Sequence, residues 1–179
     1  MTDLREIILA ALGNHEEPTW PTLDILDFVL TMAEETSDDE MAVAAVARYP
    51  LEDRRVFASE SARFAVVSYF AKSDDATVRA EVATNLNTPV SLLLELASDQ
   101  SPRVRRLLAH HPSITTGILA DLANDSSVTV REAVAANEKT PTDVLTVLAK
   151  SSSVKIKRAV HGNGNVDPFV QMELMIDLA

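Results

Sequence analysis

A chain of 179 residues with 46% hydrophobic and only 4% aromatic side chains suits one compact domain or one short array whose core is filled by small aliphatics. No apolar run reaches the ~18 residues of a membrane span, and the opening MTDLREIILAALGNHEE is too acidic around a short apolar patch for a signal peptide, so a cytoplasmic protein is expected. The lack of cysteine excludes disulfide frameworks, thiolate nucleophiles and cysteine-held metal centres; the net charge of −11 is uneven, at −10 over residues 1–60, −1 over 61–96, +3 over 97–164 and −3 over 165–179.

Leu4, Ile7, Ile8 and Leu12 follow the helical i, i+3, i+4, i+8 pattern, and Gly13 stops it. His15 to Pro21 reads as a turn in which Pro18 and Pro21 bracket Trp20, the only tryptophan. Thr22 or Asp24 then caps a helix carrying Ile25, Leu26, Phe28, Val29, Met32 and Ala33 to about Glu35, so residues 1–36 form an N-terminal helical cap. SDDEMAVAAVARYP, Ser37 to Pro50, aligns with SDDATVRAEVATNL, Ser73 to Leu86. Residues 37–70 are therefore a degenerate first repeat with an inserted loop at Leu51 to Glu60, and such insertions map to one face of an array, often the binding face.

From residue 71 to 179 one phrase recurs: Val78, Val104, Val130 and Ile156 are 26 residues apart, and so are Arg79, Arg105, Arg131 and Lys157. Each unit holds two helical segments. The first buries an i, i+4 pair (Val78 and Val82, Val104 and Leu108, Val130 and Val134, Ile156 and Val160) with Ala83, Ala109 or Ala135 beside it. The second carries Leu92, Leu93 and Leu96, then Ile118, Leu119 and Leu122, then Val144, Leu145 and Leu148. Thr88 with Pro89, and Thr140 with Pro141, read as an N-cap followed by proline in the first turn. The fold class is all-α: an α-solenoid of about four to five two-helix repeats, continuous from the first repeat to the terminal helix.

The phrase LA-x-D-x4-VR-x2-VA-x-N, followed by TP-x3-L-x2-LA, resembles the variant leucine-rich repeat family and, more broadly, HEAT-like α-solenoids. The resemblance covers Ala71 to about Asn165, with Asp99 and Asp125 matching the aspartate and Asn85, Asn137 and Asn163 the asparagine; Ser73, Ser151 and His111 depart from it. It implies a right-handed superhelix of short repeats. One member type of that family carries an iron–sulfur cluster on cysteines, which a chain without cysteine cannot hold.

The basic column Arg79, Arg105, Arg131 and Lys157, with Arg103, Arg106, Lys155 and Arg158 beside it, is the candidate partner-binding set. The bland reading of the same column is a structural ladder in which each cation bonds an aspartate or a carbonyl between repeats. No catalytic residue, cofactor or metal ligand set emerges: His110 and His111 lie two repeats from His161, and adjacent histidines face different ways. The function expected is a non-enzymatic scaffold for a protein or peptide partner. The alternative is a nucleic-acid-binding or DNA-repair-type module using the Arg/Lys column, which +3 over 68 residues and the lack of aromatic platforms disfavour. The last segment, with Phe169, Val170, Leu174 and Leu178 as candidate self-association residues, is apolar around most of a helix and points to a homodimer.

Overall fold

The computed structural model describes residues 67, 68, 70–86 and 88–179; the expected N-terminal cap, Trp20 and the Leu51 to Glu60 loop lie outside the described residues. The chain divides into two compact units, Met1–Leu92 and Leu93–Ala179. Every regular element among the described residues is helical. Helix α1 (Ala76–Thr84) belongs to the first unit, and the boundary falls inside α2 (Val90–Leu96). The second unit holds α3 (Pro102–Leu108), α4 (Thr116–Leu122), α5 (Val128–Ala136), α6 (Thr142–Ala149), α7 (Val154–His161) and α8 (Pro168–Asp177). None of these helices is long and apolar enough to cross a membrane.

Helices of seven to ten residues are marginal in water, so packing rather than propensity holds them. The i, i+4 pairs supply it: Val104 and Leu108, Val130 and Val134, and Ile156 and Val160 are all fully buried. Each such side chain taken out of water is worth roughly 1.5–3 kcal/mol. In the second unit α5 packs against both α3 and α7, α6 lies against α5, α7 and α8, and α7 also meets α8. The second helices contribute Leu119 and Leu145 at one periodic position and Leu122, Leu148 and Leu174 at the next, all buried.

Leu174 is thus a core residue, one period beyond Leu148, and α8 is the second helix of a fourth regular unit rather than a drifting tail. Its side chain is 3% exposed, so it is spent inside the chain and presents nothing to a second copy.

The threonines before Pro89 and Pro141 do something other than cap the following helix. Thr88 Oγ1 donates to Val82 O at 2.7 Å and Thr140 Oγ1 to Val134 O at 2.5 Å, reaching back six residues to close the preceding helix. Both hydroxyls are buried, and the carbonyls they satisfy are among those a helix C-terminus leaves unpaired. Pro141 itself is the N-cap of α6. One period away from the prolines, Thr115 and Asp167 cap with their side chains: Thr115 accepts from Ile118 N, and Asp167 from Phe169 N and Val170 N.

Candidate functional site

The basic column is built by a turn that recurs in every unit. Asp99 Oδ1 accepts from Ser101 N at 2.8 Å and Asp125 Oδ1 from Ser127 N at 2.7 Å; Ser73 Oγ and Ser151 Oγ do the same for Asp75 N and Ser153 N at 3.2 Å. Six residues after each of the first three turn residues an arginine folds back to the turn's carbonyls. Arg79 Nη1 donates to Ser73 O and Asp74 O, Arg105 Nη1 to Asp99 O, and Arg131 Nη1 to Asp125 O and Ser126 O. These bonds fix the plane of each guanidinium, so its remaining edge is aimed before any partner arrives.

For Arg105 that edge meets the next unit. Nε donates to Asp125 Oδ2 at 2.6 Å and Nη2 to Asp125 Oδ1 at 2.9 Å, a bidentate pair whose side chains are 12% and 5% exposed. The hydrogen bond from Arg105 holds the Asp125 carboxyl below the usual carboxylate range, against the opposing effect of burial, with Ser127 N and then the charges of Arg105 and Arg131 adding to it. The same bond raises the Arg105 pKa. Lys157 repeats the relation across the same 20 residues, pairing with Asp177. Asp177 is one period beyond Ser151, so it restores the aspartate of the repeat phrase.

A second ladder runs through the asparagine position. Asn137 Nδ2 donates to Ala109 O at 2.7 Å; Asn163 Nδ2 donates to Ala135 O and Asn137 O, both at 2.8 Å. Their Oδ1 atoms accept from Lys139 N and Asn165 N. His111, in the same register, is buried and accepts from Ser113 N at its Nδ1, so the imidazole stands in for the amide oxygen. His110 points elsewhere and is exposed; partial desolvation of its ring, and then Arg106, lower its pKa.

The candidate cations therefore separate into two groups. Arg79, Arg105, Arg131 and Lys157 bond within the chain, as the ladder reading expects. Arg103, Arg106, Lys155 and Arg158 are exposed and make no hydrogen bond or ion pair with the described residues. They alternate: where α3 has Arg103 and Arg106 and α7 has Lys155 and Arg158, α5 has Thr129 and Glu132. Two cationic pairs thus stand on helices separated by one intervening helix, α5, which packs on both. No family model, curated protein or solved structure matches the chain.

At α8, Phe169 is 74% exposed, while Val170 and Leu178 are half-buried. The exposed apolar side chains there are Phe169, Met172, Met175 and Ile176. At 100° per residue they span about 120° of the helix without a polar interruption, flanked by Gln171 and Glu173. The three methionine and isoleucine positions are missing from the sequence-derived set because that set followed the core phase of the repeat. Among the described residues no group of three or more histidine, aspartate or glutamate side chains is placed to hold a metal.

Proposed function

We propose that the chain is a right-handed α-solenoid of the variant leucine-rich repeat type, a cytoplasmic, non-enzymatic scaffold whose repeat surface binds an acidic protein or peptide. The observation that carries this reading is the alternation of the exposed cations. The column cations are committed to the stack, yet Arg103 with Arg106 and Lys155 with Arg158 have no structural task. Helix packing at about 10 Å per layer puts the two pairs about 20 Å apart. An extended strand covers that distance in about six residues. The partner segment accordingly carries acidic groups in two clusters about six residues apart. The commitment of the column guanidinium groups inside the chain favours this over a nucleic-acid reading, since a phosphate ladder would need those groups available.

The test is anisotropy with a labelled peptide bearing two Glu-Glu pairs six residues apart. The expected result is saturable binding that weakens with salt and is lost in the R103E/R106E/K155E/R158E variant, with folding stability changed by no more than about 0.5 kcal/mol, as for exposed sites. Equal binding by the charge-reversed variant contradicts the proposal.

Self-association belongs to the same reading, through Phe169, Met172, Met175 and Ile176. At about 200 Å² per large side chain their exposed area approaches 500 Å² per copy, and two copies reach about 1,000 Å² before the rim is counted, the lower bound of a specific interface. In the inner units the position of Met175 is alanine (Ala97, Ala123, Ala149), so a further repeat of the same kind does not fit against α8 in the same close packing. A two-fold pairing of α8 with itself does. Sedimentation should give twice the 19.5 kDa chain mass, reverting to one chain in M172E/I176E; a single-chain mass for the unaltered protein at all concentrations refutes it.

A further inference from the structure

The column has one place where the repeat leaves a bond unmade. Arg105 and Arg131 are held in the same way, each with Nη1 on the carbonyl six residues earlier. In Arg105 this presents Nε and Nη2 to the carboxylate 20 residues ahead, that of Asp125. For Arg131 the residue 20 ahead is Ser151, whose Oγ is already the acceptor for Ser153 N. The Lys157 to Asp177 pair shows the same 20-residue relation resuming one unit later. Between two units that complete the pair, Arg131 thus has its Nε–Nη2 edge without an acceptor among the described residues, and Arg131 and Ser151 are both partly open to water.

We propose that the Nε–Nη2 edge of Arg131 above Ser151 is a carboxylate seat, completed by an aspartate or glutamate side chain of a bound partner. Serine keeps the local turn, because its hydroxyl replaces the carboxylate oxygen that accepts from the backbone N–H two residues on. It removes the second oxygen and the charge, which leaves a space the size of a carboxylate opposite a fork whose orientation is already set. A planar carboxylate matches that fork with two parallel N–H···O bonds, which a spherical or tetrahedral anion matches less well. The partner's group would do in this unit what Asp125 does one unit earlier.

The test needs no partner. Acetate is titrated into the full chain while the Arg131 Nε–H resonance is followed, with chloride and inorganic phosphate as comparison arms. A saturable acetate shift with a dissociation constant of about 10–100 mM is expected, with a weaker response to phosphate and none to chloride. In the Ser151→Asp variant the resonance should lie at the acetate-bound position without acetate and no longer respond, and the urea midpoint should rise. An unsaturable response, an acetate shift unchanged by Ser151→Asp, a stronger response to phosphate, or a Ser151→Asp chain that is less stable or does not fold each overturns the seat. The seat also rests on the reading of the repeats as a surface for acidic partners. If acetate binds here while the Glu-rich peptide binds nowhere, the seat stands and that reading falls; if the peptide binds and acetate does not, the reverse holds.

Discussion

Replacing Asp125 by alanine is the perturbation with the largest consequence expected of any single change to a charged side chain here. The carboxylate receives Arg105 Nε at 2.6 Å, Arg105 Nη2 at 2.9 Å and Ser127 N at 2.7 Å. Both partners are largely buried, at 12% and 5% exposure. Removing one member of a buried pair costs about 3–5 kcal/mol, because the other is left charged and without an acceptor. The partly open side of Arg105 admits water and places the cost near 3 kcal/mol, which at a urea slope of about 2 kcal/mol per molar moves the midpoint down by about 1.5 M. The assay is urea unfolding followed by helical circular dichroism at neutral pH, on the unaltered chain, D125A, R105A and the double variant. The double variant should lose less than the sum of the singles, by at least about 1.5 kcal/mol of coupling. A loss below about 1 kcal/mol in D125A, the worth of an exposed ion pair, refutes the view that the column holds the units together.

Asn163→Ala leaves the carbonyls of Ala135 and Asn137 without this donor and should destabilise by about 2–3 kcal/mol in the same assay. Leu174→Ala should cost about 2–5 kcal/mol, the range for a core leucine; a change under 1 kcal/mol would return this residue to the surface. The pH dependence has a defined sign. Because the folded pKa of Asp125 is depressed, its stabilisation is complete above the unfolded value of roughly 3.9 and is lost as pH falls through the folded value, so the stability gap between the unaltered chain and D125N should be level at neutral pH and shrink only below about pH 4. The folded pKa of His110 is also lowered, so below about pH 6.5 the unfolded chain binds more protons and stability declines with falling pH; H110Q should flatten that part of the profile.

The helical units were legible because their signal is local. A valine and a second aliphatic four residues on, repeated every 26 residues, specify one buried stripe per short helix whatever the neighbours are, and Val104, Val130 and Ile156 are buried as that pattern requires. The column of cations was legible as a column. Its partners were not, because a bond from residue 105 to residue 125 depends on how one unit lies against the next, and Asp177 becomes recognisable as an aspartate of the repeat only when Lys157 is found beside it. The roles of Thr88 and Thr140 were misread for a related reason. A threonine before proline has the composition of an N-cap, and only the position of the carbonyls of Val82 and Val134 shows that the hydroxyl turns back to the helix already finished. In α8 the core phase led to Leu174, whereas the exposed stripe lies on the side of the helix that the repeat pattern does not use.

The central claim is that the units beginning at α3, α5 and α7 follow one another as equivalent layers, and distances between equivalent residues measure it most directly. The chain has no cysteine, so spin labels can be placed in pairs at Arg103, Thr129 and Lys155 without altering another thiol. The account predicts about 10 Å for residues 103 and 129 and for 129 and 155, and about 20 Å for 103 and 155, as successive layers of packed helices require. A 103 to 155 distance equal to or shorter than either neighbouring distance would mean that the units close on themselves, and would contradict it.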